Sequence, residues 1–330
     1  MLGCVSGGFG LGRFSQAKEK PFTGLVTEAG VVRACDILEA PEAACDVLTL
    51  LEDWDRSFDR LVEGLERRKG LLAPTALTSL RAHAPVAQPR QLFCTGANYA
   101  RHVVDMVVAM GAAPATDGMD ADQRRDWARG LVARQRQGGN PFVFMKPTTS
   151  VAGPFDDLVI PAGVAKLDWE LELGVVMGRA VHAVSRQEAW SAIAGYMVVN
   201  DITARERLAR PDAPGLGADW LSAKGGPGYL PSGPFFVPRQ FVPEPEQLHM
   251  RLWVNGELKQ DDDPRDMIFP IDHQVEFIAS RAQMAPGDIL CTGSPTGNGI
   301  IEGLFLKPGD VIEATIEGLG TQSVRCVAPQ

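Results

Sequence analysis

The chain has 330 residues, 45% of them hydrophobic and 22% charged, which is typical of a globular protein with material for one large or two modest domains. Its 41 acidic residues outnumber its 32 basic ones, and the net charge of −9 argues against nucleic acid or an anionic membrane as a main partner. The sequence shows no apolar run long enough to span a bilayer, no recognisable secretory signal and no CxxC pair among six scattered cysteines, so we predict a cytoplasmic protein without a disulfide framework or zinc site.

Residues 1–88 are predicted to form a small N-terminal α/β accessory domain. Residues 22–37 contain two strand-like runs joined at Glu28-Ala29-Gly30, and residues 47–68 have the spacing of an amphipathic helix. The segment APVAQPRQ (84–91) is polar and proline-bearing, so it makes a credible linker to a second domain that spans residues 89–330.

From Leu92 onward, short β-rich runs alternate with glycine and proline turns. Helical patterns are few, chiefly at 185–195 and 273–283, and strand and helix do not alternate regularly. The pattern predicts an α+β, mainly β domain with mixed or antiparallel sheets, and it disfavours a doubly wound nucleotide-binding fold. The sequence contains no GxGxxG, P-loop or GxSxG motif.

The stretch GANYARHVVDM (96–106) places a histidine and an acid three residues apart. If the stretch is helical, His102 and Asp105 share one face, and a carboxylate beside an imidazole can orient it as a general base. A polar turn of a surface helix is the alternative.

Residues 107–140 form a segment flanked by glycine and proline, with a short helix predicted in its middle and Asp120 or Asp122 as its cap. Trp127, Leu131 and Val132 would lie on one side of this helix. The segment is either a surface insertion or a lid that closes over a bound substrate.

The stretch DWELELGVV (168–176) puts Asp168, Glu170 and Glu172 on one face of a strand that is otherwise apolar. Asp201 ends another apolar strand and can reach a shared site. Clustered carboxylates are most simply satisfied by a divalent cation, and all-oxygen ligation points to Mg²⁺, Mn²⁺ or Ca²⁺. The alternative is a solvated acidic face that Arg205 or Lys224 neutralises.

Two glycine-rich loops could face a ligand. Lys224 enters the loop SAKGGPGYLPSGPFF (222–236), and CTGSPTGNG (291–299) could present hydroxyl and backbone N–H groups to an anion. Each could equally be a solvent loop or a hairpin connection.

These stretches, in this order, resemble the fumarylacetoacetate hydrolase family, including members such as acylpyruvate hydrolase and 2-hydroxyhepta-2,4-diene-1,7-dioate isomerase. The resemblance covers residues 92–328 and rests on GANYARHVVDM, FVFMKPTTSVAGP, DWELELGVVMG, NDITARE, LSAKGG, WVNGELKQ and APGDILCTGSPTGNG. It implies a mixed β-sheet roll that binds Mg²⁺ or Mn²⁺, usually in a homodimer.

The resemblance also implies roles for individual residues. Its ExE motif and NDxxAR aspartate fall on three acids, which would be the metal ligands: Glu170, Glu172 and Asp201. The catalytic residues would be His102, Asp105 and Lys224, and the substrate-binding residues would be Tyr99, Arg205, Leu208 and Ser294. Asp168 is not a ligand position and is left as a supporting or solvated acid.

The reaction implied is cleavage of a C–C bond in a β-diketo acid, such as an acylpyruvate or an intermediate of aromatic catabolism, through an enolate held by the metal. A histidine-activated water would attack the distal carbonyl, and Lys224 would stabilise the developing negative charge. Decarboxylation, hydration or isomerisation of a 2-oxo acid at the same site is the alternative, and a binding protein or subunit that has lost hydrolysis is a third.

Three departures from the family pattern bear on the substrate. Asp105 replaces the usual glutamate, Leu208 replaces a common glutamine, and the segment that contains residues 107–140 is longer than usual. In this context the lid is the favoured interpretation of that segment.

Overall fold

The computed structural model describes residues 8–17, 19–111 and 114–329, and its first part is a four-stranded antiparallel sheet with three helices. The elements are β1 (Gly10–Ser15), β2 (Phe22–Thr27), β3 (Gly30–Arg33), α1 (Ala34–Leu38), α2 (Val47–Leu51), α3 (Trp54–Arg67) and β4 (Arg81–His83). The strand order is β3-β2-β1-β4.

Two sequence expectations for this part need correction. The second strand-like run ends at Arg33, because Ala34, Ile37 and Leu38 bury one face of α1 at helical spacing. The helix predicted over 47–68 is divided at Asp53, whose φ of −135° and ψ of 69° are not helical.

Residues 92–160 contain two packed helices between short strands. These elements are β5 (Leu92–Gly96), α4 (Ala100–Met110), α5 (Ala121–Gly138), β6 (Phe142–Met145), β7 (Val151–Ala152) and β8 (Leu158–Val159). Asp120 caps α5, accepting from Gln123 N (2.9 Å), while Gln123 Oε1 accepts from Asp120 N (3.0 Å). The predicted helix is present, although its 18 residues make it longer than expected.

Residues 167–238 carry the two longest strands of the six-stranded sheet, which we call the central sheet. They comprise β9 (Leu167–Asp168), β10 (Leu171–Met177), α6 (Arg186–Ser191), β11 (Ile193–Asn200), β12 (Thr203–Ala204), α7 (Trp220–Lys224), β13 (Leu230–Pro231) and β14 (Val237–Pro238). The helix predicted to reach residue 195 ends at Ser191, because the buried strand β11 begins at Ile193.

The last segment forms most of a second sheet. Its elements are β15 (Met250–Val254), β16 (Glu257–Asp262), α8 (Ile271–Ala279), β17 (Ile289–Cys291), α9 (Gly299–Glu302), β18 (Val311–Ile316) and β19 (Gly320–Val327). The helix predicted over 273–283 is α8, which begins at Ile271 and ends at Ala279.

The strands form a mixed six-stranded sheet and a five-stranded sheet, besides the N-terminal sheet and two strand pairs. The six-stranded order is β14-β11-β10-β17-β5-β6, in which β17 and β5 run parallel and the other neighbours run antiparallel. The five-stranded order is β16-β15-β18-β19-β8. Comparison with known structures, reported below, confirms the predicted α+β fold of mixed sheets.

The N-terminal unit shares a hydrophobic core with the rest of the chain. Leu11 exchanges backbone hydrogen bonds of 2.7 and 2.9 Å with Phe236, and the rings of Trp54 and Phe236 lie 5.4 Å apart. The division at residue 88 into two domains stays a prediction. Among the described residues, no helix combines the length and apolarity needed to cross a membrane.

Candidate active site

Pairing of β10 with β11 brings three carboxylates together. Leu171 lies opposite Asn200, so Glu170 just before β10 faces Asp201 just after β11, and Asp201 N donates to the Glu170 carbonyl at 2.8 Å. Glu172 lies two residues further along the same face. One carboxylate oxygen from each of Glu170, Glu172 and Asp201 lies within 4.8 Å of the other two.

This group fits a divalent cation. All three side chains are buried, and they offer oxygen atoms alone, which Mg²⁺ and Mn²⁺ prefer. Burial, reinforced by the charge of Asp201, raises the pKa of Glu172 well above its ordinary value. A cation in the group would remove the repulsion that opposes ionisation of Glu172.

Three buried basic side chains also contact these acids. Lys224 Nζ donates to Glu170 Oε2 (2.5 Å) and to Asp201, while Lys146 Nζ donates to Asp201 Oδ1 (2.5 Å). Arg205 donates to Glu170 Oε1 (2.5 Å). Burial opposes ionisation of Glu170, but Lys224 and Arg205 outweigh it and hold the pKa of this carboxyl at about 2.

Asp168 is fully buried and positions Arg205. It accepts from Arg205 Nε (2.8 Å) and from the backbone N–H groups of Gly299 (2.7 Å) and Ile300 (3.0 Å). Asp168 therefore supports the guanidinium that holds Glu170, and it is not solvated. The single strand predicted over 168–176 is wrong, because Asp168 lies on β9, which pairs with β12, whereas β10 begins at Leu171.

His102 and Asp105 both lie on α4 but have different surroundings. His102 is 8% exposed, and its Nδ1 has no hydrogen-bond partner within the described part of the chain. Burial, partly offset by the charge of Glu170, lowers the pKa of His102 to about 4, so the ring is neutral near pH 7. Asp105 is half-buried and accepts from Thr296 Oγ1 at 2.5 Å; no His102–Asp105 hydrogen bond is formed among the described residues.

The loop 291–299 contacts the carboxylate of Glu172. Gly293 has a φ of +99° and donates its N–H to Glu172 Oε2 at 2.8 Å. A Cβ at Gly293 would lie 2.8 Å from Asn98 Cβ, so both the conformation and the space favour glycine. Ser294 is buried, and its Oγ accepts from Gln260 Nε2 at 2.9 Å.

Tyr99 and Leu208 are the two remaining predicted substrate contacts. Tyr99 is completely buried, and its hydroxyl donates to Met250 Sδ at 3.6 Å. Leu208 is half-buried at the end of the turn that carries Arg205. Roles for Tyr99 and Leu208 in substrate binding stay predictions.

Sequence reasoning missed Lys146 and Gln260. Lys146 has a fully buried side chain and also donates to the Tyr229 carbonyl at 2.8 Å. Gln260 Oε1 accepts from Leu171 N at 3.0 Å, which ties β16 to the strand of the acids. The signal for Lys146 was a lysine directly after the apolar run FVFM; Gln260 carried no signal that distinguishes it from an exposed strand residue.

A family model described as "Fumarylacetoacetate (FAA) hydrolase C-terminal" matches residues 91–327. The chain is 31% identical over 316 residues to the 2,4-didehydro-3-deoxy-L-rhamnonate hydrolase of Sphingomonas sp. (strain SKA58), covering 94% of this chain and 93% of that protein.

Solved structures share the fold. The crystal structure of maleylpyruvate hydrolase from Sphingobium sp. SYK-6, in complex with manganese(II) and pyruvate, aligns with a TM-score of 0.73 at 24% identity over 97% of this chain and 100% of that one. The 2-hydroxyhepta-2,4-diene-1,7-dioate isomerase of Mycobacterium marinum aligns with a TM-score of 0.64 at 24% identity over 97% and 98%. At these identities the two likenesses establish the fold alone.

Proposed function

The chain belongs to the fumarylacetoacetate hydrolase family, and from that premise we propose that it is a Mg²⁺- or Mn²⁺-dependent hydrolase that cleaves a C–C bond in a β-diketo acid of the acylpyruvate type. One observation carries the proposal: three buried carboxylates converge beside buried cationic side chains and a neutral buried histidine. We further expect a cytoplasmic homodimer.

Glu170, Glu172 and Asp201 would hold the metal, which when bound polarises a keto oxygen and favours the enolate form of a 2-oxo acid. The maleylpyruvate hydrolase that shares this fold holds manganese and pyruvate, which is consistent with such a site. The name of the Sphingomonas relative describes carbonyl groups at C2 and C4, hence a β-diketo acid.

The chain's own groups would perform the remaining steps. His102 is neutral, and its Nδ1 is free of a partner within the described residues, so the ring can accept a proton from a water that attacks the distal carbonyl. Burial opposes the charge on Lys224, but Asp201 and Glu170 raise its pKa, so the ammonium persists and can donate to the oxygen on which negative charge develops. Arg205 is held by Asp168 and orients Glu170.

The roles of Asp105 and Ser294 follow from their contacts. Asp105 is held by Thr296 one helical turn from His102, where it could orient the attacking water. Ser294 is held by Gln260 in the loop that reaches Glu172, where its hydroxyl could contact the substrate.

The test is a panel of acylpyruvates in Mg²⁺ or Mn²⁺, followed by loss of β-diketo acid absorbance and by an assay for pyruvate. We expect cleavage that yields one pyruvate per substrate and is lost with EDTA. Glu172→Gln should lose Mn²⁺ binding and activity yet remain folded, whereas Glu313→Gln, at an exposed position of β18, should retain both.

A second candidate is isomerisation, decarboxylation or hydration of a 2-oxo acid at the same site. It is favoured by the 2-hydroxyhepta-2,4-diene-1,7-dioate isomerase among proteins of this fold. Metal binding with β-diketo acids left intact would contradict hydrolysis and select this candidate.

A further inference from the structure

Gln260, on β16, is a fully buried amide that bridges two parts of the candidate active site. Its Oε1 accepts from the backbone N–H of Leu171 (3.0 Å), a residue that lies between two of the candidate metal ligands. Its Nε2 donates to Ser294 Oγ (2.9 Å) and to the carbonyl oxygen of Pro295 (2.8 Å). One side chain therefore joins the strand of the acids to the loop 291–299.

The partners of this amide fix its orientation. The Leu171 N–H can only donate and the Pro295 carbonyl can only accept, so the side-chain oxygen of Gln260 must face β10 and its nitrogen must face the loop. Ser294 Oγ lies on the nitrogen side, and it consequently accepts an N–H group from Gln260.

A second buried amide donates to the same hydroxyl. Asn298 Nδ2 donates to Ser294 Oγ (3.3 Å) and to the carbonyl oxygen of Trp169 (2.9 Å), and the second contact fixes the orientation of this amide too. A serine hydroxyl has two acceptor positions and one hydrogen. Because amide N–H groups are directed at both acceptor positions, the Ser294 hydroxyl can act toward a ligand only as a donor.

The hydrogen of this hydroxyl is poorly satisfied by the protein. Within the described residues, Ser294 Oγ donates to the Pro295 carbonyl at 3.3 Å, which is longer than the range of about 2.5–3.0 Å that is usual for a hydroxyl donor. The same carbonyl already accepts from Gln260 at 2.8 Å. A carboxylate or keto oxygen of a ligand can therefore accept this hydrogen at a shorter distance.

Ser294 can contact a ligand, whereas Gln260 cannot. The residue before the serine, Gly293, donates its N–H to Glu172 Oε2 at 2.8 Å, which places the serine beside the candidate metal ligands. Ser294 is 5% exposed and Gln260 is 0% exposed. Any effect of Gln260 on a ligand must therefore pass through the residues that it holds.

We propose that Gln260 is a positioning residue, which holds the Ser294 hydroxyl as a hydrogen-bond donor to an oxygen of the bound 2-oxo acid. This inference rests on the proposed function for the class of ligand, and it adds a residue that does not touch the substrate itself. If the N–H groups of Gln260 were replaced by an acceptor, the hydroxyl hydrogen would turn toward residue 260 and would be lost to the ligand.

The test uses Gln260→Glu, which keeps the size of the side chain and an acceptor for the Leu171 N–H but removes the N–H groups that face Ser294. Pyruvate is the probe, and its affinity is measured by calorimetry at saturating Mn²⁺, without turnover. Gln260→Glu and Ser294→Ala should each weaken pyruvate binding at least tenfold. The double variant should bind pyruvate within twofold of Ser294→Ala, because without the hydroxyl the glutamine has nothing to orient.

Gln322, on β19, supplies a matched control. It is also a buried glutamine, and its Nε2 donates to the carbonyl oxygens of Val198 (3.0 Å), Pro231 (3.0 Å) and Gly233 (3.3 Å). Gln322→Glu should lower thermal stability but leave pyruvate affinity within twofold of the wild type. If Gln260→Glu does not fold, Gln260→Met, which also removes the N–H groups, takes its place in the same comparison.

Kinetics give a second measurement if an acylpyruvate is cleaved. The loss in Gln260→Glu should then appear in KM, with kcat within threefold of the wild type, because a contact made equally to the bound substrate and to the transition state changes KM alone. A loop that had merely loosened would lower kcat as well, and that result would contradict the proposal.

The pyruvate measurements separate this inference from the proposed function. The inference is overturned if the wild type does not bind pyruvate, if either single variant binds it normally, or if the two losses multiply in the double variant, as independent structural effects do. Coupled losses without cleavage of any acylpyruvate would leave the role of Gln260 in place and remove hydrolysis. Cleavage with multiplied losses would do the reverse.

Discussion

His102, a candidate catalytic residue, also affects how the stability of the folded protein depends on pH. Its neutral form is favoured by burial, which lowers its pKa from an ordinary value of 6.5 to about 4. In the unfolded chain the ring is exposed and takes up a proton near pH 6.5. Between the two pKa values the unfolded state therefore binds more protons than the folded state.

We predict that this histidine contributes to acid destabilisation. As pH falls from 6.5 to 4, the wild-type protein should lose on the order of 3 kcal/mol of unfolding free energy through His102, and the loss should be complete below pH 4. His102→Gln should remove this contribution, which urea titrations at pH 7, 5.5 and 4 would measure. The prediction is contradicted if the unfolding free energies of the variant and the wild type change with pH in parallel. His273→Gln, on α8, is the control.

Among single residues, the acids of the site could be predicted and their buried lysine could not. Alternation of acidic and apolar residues in the sequence predicted that Glu170 and Glu172 share one face, and Asp201 follows a second apolar run, so a sequence pattern existed. Lys146 follows β6, and Asp201, which it contacts, follows β11, 55 residues later in the chain. No pattern among neighbouring residues predicts a contact across 55 residues of sequence.

At the scale of elements, α5 is a helix that packs through one narrow apolar stripe. Val132 contacts a small buried cluster with Val103 of α4 and with Ile268 and Phe269. Most of its other side chains are exposed or half-buried. A helix held by so small a cluster can detach while the sheets stay folded.

We predict that Val132→Asp detaches α5. Burying an unpaired carboxylate costs more free energy than losing the packing of the small cluster that holds the helix. Trypsin should then cleave at the α5 arginines at least tenfold faster, and KM should rise if the helix is a lid. Gly138→Asp, at the exposed end of α5, is the control. Unchanged proteolysis and unchanged KM would return the segment to a fixed surface insertion.

A helix could be predicted from the sequence where neighbouring residues supplied both a capping residue and helical hydrophobic spacing. The candidate caps Asp120 and Asp122, together with the spacing of Trp127, Leu131 and Val132, predicted α5 from sequence, and Asp120 is the cap that the structure has. The predicted end of α6 and the predicted extent of the second N-terminal strand were wrong, because both boundaries depend on which strand or which face of the core buries the residues that follow. Ile193 and Ala34 are fully buried, one in a strand and the other in a helix, and their hydrophobicity alone does not distinguish the two.

At the scale of the whole molecule, the N-terminal sheet and the central sheet are joined by one core. Leu11, Leu25 and Trp54 lie in the same buried cluster as Leu92 and Phe236. Removing residues 1–88 would expose the apolar side of β5 and of its neighbouring strands to water.

We predict that residues 89–330 expressed alone will not fold as the full chain does. Calorimetry of the full chain should show one cooperative transition, whereas the truncated chain should aggregate or lose that transition. A truncated chain that melts within a few degrees of the full one would establish instead that the catalytic part is an independent domain.

The family resemblance and the mixed-sheet fold were readable from ordered motifs, but the sheet order was not. β17 pairs in parallel with β5 across nearly 200 residues, with Leu290 beside Phe93. Many pairings of short buried strands satisfy the same alternation of side chains, and the choice among them is made by packing of the complete chain.

The charge of α5 has a consequence for how small anions reach the protein. A molecule of net charge −9 repels anions at long range, yet α5 carries five arginines against two aspartates, an excess of positive charge beside a cavity between α4 and α5. This local charge should draw diffusing anions to one side of the molecule, and their encounter rate should fall as ionic strength shortens the Debye length. The helix would then act on the capture of anions before any contact is made.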